Sequence, residues 1–535
     1  MTRIHSFTDR IRRSAFNGFS ASTLLLFAAV FFVNSVRATP PPGYYLVWSD
    51  EFNSTALDRA KWDYWLPGPR RNAVNVPSAI SLDGSNLVIT TYTSNKVHYT
   101  GFVATDETFR TRYGYWESRI RWGDTNGMWS AFWLQSPEMT GRLPDARLFG
   151  SEIDIAEHRF LDKEEKNIAN KIQVNIHWDG YGRNSHGASS GNVGSGLAND
   201  FHTYGFLSTP DSYSFLIDDS KIYGGGSAPI SHGTEWAILS SEVDDTSTLW
   251  AGHIPAEGYG GLGDSTTRMT VDYVRYYAPS NVLFWTGAAS ADWTDANNWV
   301  AGKIPLGNSE VTFTYLSTNA QAVINRDCSI DGIVVLQTKR DLAFAGTHTL
   351  QIGAGGIDMS TANRELAIGA RVELTAPQIW LVGQKAGGLK ITGTFSGKET
   401  LTKAGAGALI LESASEFGGQ LNVEAGELST GNSIEALAFS GLTLSPNSTI
   451  ALKINGALHA NDQLKIAGPV IFQGNLTVLN TAGELKAGDQ FKLFEAQGYR
   501  GNFDHMTLPS LASGLEWNTR ALTNGILSVI SITKL

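Results

Sequence analysis

Residues 150 to 158 read GSEIDIAEH, so three carboxylates, Glu152, Asp154 and Glu157, fall within six positions. The intervening Ile153, Ile155 and Ala156 suit a buried β-strand, where like charges raise one another's pKa and cost stability. A strand that keeps such a cluster points to chemistry: two carboxyl groups whose surroundings push their pKa values apart can serve as proton donor and nucleophile against a glycosidic bond. Regular alternation puts Glu152 and Asp154 on one face and Glu157 on the other. One extra residue near Ile155 or Ala156, a β-bulge, returns Glu157 to the first face, and bulges are enriched beside active sites. Four ladder steps of about 3.3 Å separate the two Glu backbones by about 13 Å. Two inward-leaning side chains of about 4 Å each then leave about 5 Å, the gap of a retaining mechanism. In that arrangement Glu152 is the nucleophile, Asp154 orients it, and Glu157 keeps its proton because its neighbours are charged. A calcium cluster or a solvated edge strand tolerates the same acids and is the bland alternative.

The elements that must hold these residues are strands. From Tyr44 to about Tyr277 the chain is a series of short aromatic and β-branched runs, among them YYLVW, LVITTY, GMWSAFWL, IQVNIHW and MTVDYVRYY, separated by turn residues such as GPRRN, DGSN and GDTNG. Ten of the 15 Trp lie there, more than core packing alone asks for. Many antiparallel strands in this length predict a two-sheet sandwich of jelly-roll type. After Pro279 the texture changes to Gly, Ala, Ser, Thr and Leu with short recurring strands, as in LTKAGAGALILESASEFGGQLNVEAGELST. Strands that bury a face only by stacking on the next coil predict a parallel β-helix. Trp285, Trp293 and Trp299 are expected to cap its first coil rather than form a sugar platform.

The chain is therefore read as all-β in two architectural parts, residues 39–279 and 280–535, behind a leader of residues 1–38. Arg3, Arg10, Arg12 and Arg13 precede an apolar run from Leu24 to Val33, and Val36-Arg37-Ala38 suits cleavage, so the leader reads as a secretory signal and no membrane span is expected after its removal. Cys328 stands alone, which excludes an internal disulfide. Residues 39–279 carry 19 basic and 29 acidic side chains, a balance that argues against nucleic acid and strongly polyanionic ligands.

LVWSDEFN, YGYWESRIRW, GMWSAFWL, GSEIDIAEH, FHTYGF and MTVDYVRYY, in this order, resemble glycoside hydrolase family 16 over Tyr44 to Tyr277. The resemblance implies a concanavalin-like β-jelly-roll whose E-x-D-x-x-E strand carries nucleophile, assisting Asp and acid/base at Glu152, Asp154 and Glu157, in the bulged, laminarinase-like variant. It further implies substrate contacts at Trp129, Trp133 and His177, with Trp250 as a cover for a sugar subsite, and a structural calcium at Glu51 and Asp272. Residues 401–430 resemble the passenger-associated repeats of autotransporters, which implies a surface-attachment or spacer module. The expected protein is a secreted retaining endo-β-glycanase acting on a polysaccharide, with β-1,3-glucan first and agar-type β-galactan as the rival, because GRLPDARLFG and LSSEVDDTSTLWAGHI depart from the laminarinase pattern. Catalysis by two carboxyl groups asks for no cofactor. A lectin or adhesin of the same shape is the alternative from another class, and the acid triad speaks against it.

Overall fold

The short aromatic runs between Tyr44 and Pro279 pair into two antiparallel sheets of eight and seven strands, in a computed structural model that describes residues 40–140, 150–183, 185–245, 250–412 and 416–532. The leader and most of the GRLPDARLFG loop lie outside the described residues. Alternation decides the packing: Trp116, Phe206 and Val271 of one sheet meet Phe132, Ile153, Ile176 and Leu239 of the other in one apolar core. The outer face of the seven-stranded sheet is left to the polar and aromatic residues, and that face carries the site. A hairpin of Gly68–Arg70 and Ala73–Asn75 brings Arg70 and Arg71 over it.

From Val282 onward the strands pair in parallel with the coil that follows: Val311 with Ile333, Ile333 with Ile357, Ile357 with Trp380. This is the expected β-helix. Its inward positions form one continuous apolar column from Leu283 to Val529. Ring contacts run along it, Trp380 to Phe395 tilted at 5.3 Å and Phe395 to Phe417 stacked at 4.6 Å. Trp285, Trp293 and Trp299 are all buried and pack edge-on or offset at its first coil, so they cap the column as the sequence suggests. An antiparallel sheet of Gln490–Lys492, Ile526–Ser531 and Leu515–Asn518 lies near the C-terminal end.

The jelly roll and the β-helix are parts of one compact unit spanning Thr39–Leu535. Phe284 of the first coil belongs to the sandwich core, packing 6.3 Å from Tyr276, and Tyr45 donates to the Val282 carbonyl at 2.8 Å. Arg112 and Asp358 form an ion pair across the junction at 2.5 Å. Burial by itself would raise the Asp358 carboxyl, but the charge of Arg112 overcomes this and holds it below its ordinary value. The two architectures join through a packed, paired interface. No helix among the described residues is long and apolar enough to cross a membrane.

Candidate active site

The acid strand, Glu152–Arg159, lies between Met128–Gln135 and Ile172–Trp178 in the seven-stranded sheet. Gly150 leads into it with φ of 86°, and a Cβ there would meet Ser136 Oγ at 2.3 Å, so only glycine fits this approach. The register then breaks. Phe132 pairs with Ala156 but Trp133 pairs with Asp154, leaving Ile155 unmatched, and on the other side two residues of the acid strand face Val174 alone between the pairs Asp154–Asn175 and Glu157–Gln173. Ile155 and Ala156 both turn into the core. Glu157 thereby returns to the outer face, and all three carboxylates line one cavity of about 510 Å³.

The same cavity is walled by Trp129, Ala131, Trp133 and Gln135 from one neighbouring strand and by His177 from the other. One side-chain ligand atom each from Glu152, Asp154 and His177 lie within 4.8 Å of one another, with His177 Nε2 3.5 Å from Asp154 Oδ2. Glu157 accepts from Trp129 Nε1 at 2.7 Å on Oε1 and from Asn175 Nδ2 on Oε2. Glu152 Oε2 accepts from the Tyr181 hydroxyl, which itself accepts from Gln135 Nε2 at 2.5 Å.

Burial, and secondly the charge of Asp154, push Glu157 well above the usual carboxylate range, while Asn175 pulls the other way. Burial followed by the charge of Glu152 does the same to Asp154. Glu152 is also raised by burial, opposed first by the Tyr181 hydrogen bond. The sequence reading names the neighbouring charges as the cause; desolvation comes first, and charge adds to it. The arrangement sets a proton-holding carboxyl beside one whose ionised form Tyr181 favours, the pairing that acid and nucleophile chemistry needs.

Trp133 is buried, its Nε1 donating to Ser240 at 3.0 Å, and forms the cavity floor with Trp65 at 5.6 Å. Trp129 is partly buried, with the Arg71 guanidinium 4.6 Å over its ring. Trp250 stands elsewhere than expected. It packs edge-on behind Trp129 at 6.0 Å, outside the cavity lining, and its ring is covered by the Arg159 guanidinium at 3.5 Å, so it supports Trp129 rather than presenting a face to a sugar. Glu51 and Asp272 do not fit a calcium site. Glu51 takes Arg275 on both oxygens, at 2.9 and 2.6 Å, and Asp272 is paired with Arg119 at 2.7 Å, so each carboxylate already has a cation.

Sequence reasoning missed Gln135, Asn175, Tyr181, Trp65 and Glu242. Gln135 and Asn175 share strand faces with Trp133 and His177, a signal that alternation carries. Glu242 in WAILSSEV is a carboxylate inside an apolar run, the same anomaly as GSEIDIAEH. Tyr181, 55% exposed in a connection, has no such signature.

Residues 46–279 match the family model described as Beta-porphyranase A-D, GH16 domain. The chain is 27% identical over 284 residues to a keratan-sulfate endo-1,4-beta-galactosidase of Sphingobacterium multivorum, covering 47% of this chain and 63% of that one. It is 28% identical over 265 residues to a beta-glucanase of Acetivibrio thermocellus, covering 48% and 70%. The solved laminarinase of Rhodothermus marinus is 25% identical with a TM-score of 0.35, over 44% of this chain and 97% of that one. The chain thus spans under two thirds of the galactosidase's length. The jelly roll falls in the class of glycoside hydrolase domains. Over residues 46–279 it is similar to family 16 glycoside hydrolase domains.

Proposed function

We propose that this protein is a retaining endo-β-glycanase acting on a β-galactan. The observation that carries the reading is the bulge at Ile155 and Ala156, which sets Glu152, Asp154 and Glu157 on one wall of an aromatic cavity. Glu157 donates its proton to the glycosidic oxygen as Glu152 attacks the anomeric carbon, giving a glycosyl-enzyme. Glu157 then takes a proton from the water that releases the sugar, and Glu152 leaves as carboxylate. Trp129 and Asn175 each engage one oxygen of Glu157, leaving lone pairs for that proton, while Tyr181 fixes Glu152 by Oε2. Asp154, next to Glu152 on the same wall and with its carboxyl pushed upward by burial and by the charge of Glu152, is the group that would steady the nucleophile. Trp129 and Trp133 offer indole surface to pyranose rings, and His177 faces the same subsite.

The galactan choice is supported by the porphyranase-type family model and by the keratan-sulfate galactosidase among the relatives. The second reading, β-1,3-glucan, is supported by the beta-glucanases among them. The leader would export the protein, and the autotransporter-like coils would hold the catalytic part at a cell surface. Release of reducing ends from a panel of agarose, porphyran, keratan sulfate and laminarin, by wild type and by Glu152→Gln, tests the reading. Cleavage of a galactan by wild type alone is expected; cleavage that survives the substitution removes the mechanism, and binding without cleavage favours a lectin.

A further inference from the structure

In the same sheet as the acid strand, across the strand Met128–Gln135, Glu242 of the strand Trp236–Val243 pairs beside Trp129 and lines the same cavity with its side chain only 8% exposed. Arg70 donates to its Oε1 through Nε at 3.0 Å and Nη2 at 2.8 Å, and Arg71 donates to its Oε2. Arg71 Nη1 also lies 3.5 Å from Asp244 Oδ2, a carboxylate with 2% side-chain exposure. Both guanidinium planes are fixed by rings as well, Arg71 over Trp129 at 4.6 Å and Arg70 over Phe102 at 5.4 Å. Two cations are therefore matched by two buried carboxylates. The cluster is neutral, and the charge left in the cavity is that of the acid strand.

This balance decides what the arginines can bind. A sulfate ester that drew Arg70 or Arg71 away would take one of the two cations off Glu242 and leave a buried carboxylate with one oxygen unpaired, a loss that offsets the new contact. A sugar hydroxyl asks for no such exchange, because it hydrogen-bonds at the edge of an intact pair. We propose that Glu242 is a specificity determinant that holds Arg70 and Arg71 neutralised, so that beside Trp129 the cleft accepts an uncharged galactan unit in preference to a sulfated one. The inference rests on the glycanase reading of this site and narrows its substrate.

The test uses the full-length protein with agarose oligosaccharides and their chemically sulfated counterparts. Wild type is expected to show kcat/KM about tenfold or more higher on the neutral series, and Glu242→Gln to narrow that ratio by about tenfold, with a gain on the sulfated series that shrinks as salt rises from about 50 to about 500 mM. A wild-type preference for the sulfated series, or an unchanged ratio in a folded Glu242→Gln, overturns the inference. Should Glu242→Gln not fold, wild type alone decides. Activity on the sulfated series that is flat or rising with salt supports a neutral arginine cluster, and activity that falls with salt overturns it. Retardation of wild type in gels containing agarose or sulfated agarose reads binding without turnover. Retardation by agarose alone, with no cleavage, keeps the inference while the glycanase reading fails; retardation by the sulfated polymer or by neither overturns it.

Discussion

The acid strand and the β-helix both bury charge, and they treat it in opposite ways. In the acid strand the carboxylates receive neutral donors: Tyr181 on Glu152, and Trp129 and Asn175 on Glu157. In the β-helix, Asp462 is fully buried and accepts from Lys453 Nζ at 3.0 Å, from Thr430 Oγ1 at 2.6 Å and from the backbone of Glu435 at 2.8 Å, while Lys453 also donates to Thr430. A buried charge given an opposite charge and a full set of hydrogen bonds is part of the scaffold. One that receives only neutral donors keeps an unmet demand for a proton, and that demand is what catalysis draws on.

The sharpest way to break this contrast is to remove the acids. Glu157→Gln is expected to lower kcat by about 10²–10⁴ and Glu152→Gln by at least as much, with circular dichroism unchanged. If activity persisted, the acid strand would be scaffold too. In the β-helix the same kind of deletion should act on stability. Asp462→Ala strands Lys453 and is expected to cost about 3–5 kcal/mol in denaturant unfolding, with turnover per folded molecule preserved.

Asp154 separates the two behaviours in one residue. Its folded-state pKa lies above its unfolded value, so the stability it contributes is present below the ordinary carboxylate range and is lost as pH rises through the raised value. Asp154→Asn, which cannot ionise, should therefore melt a few degrees above wild type near pH 8, with the gap closing toward pH 4, while hydrolysing more slowly. A variant less stable at both pH values would count Asp154 with the scaffold. The smallest effect is expected from Tyr181→Phe. Without its hydroxyl the carboxyl of Glu152 rises further, and the acid limb of the kcat/KM profile should move to higher pH with activity falling a few-fold at neutral pH. A profile that stays in place would show that Tyr181 only packs against the cleft.

The order of residues along the chain determined more of this protein than its local elements. Period-2 alternation fixed the strands of the jelly roll, and the recurrence of short apolar pairs after Pro279 fixed the coils, because each signal is written in neighbouring positions. The bulge was legible too, since three acids in an otherwise apolar strand make sense only if the last one returns to the face of the first. Tertiary structure alone decided which partner each charge meets. Glu51 and Asp272 meet Arg275 and Arg119, Trp250 meets Arg159 instead of the cleft, and Glu242 meets a pair of arginines some 170 residues earlier, 172 and 171 positions away. The physical reason is range. Alternation acts between adjacent residues, whereas the desolvation and pairing that set a carboxyl's protonation state depend on atoms that only the closed fold brings within a few ångströms.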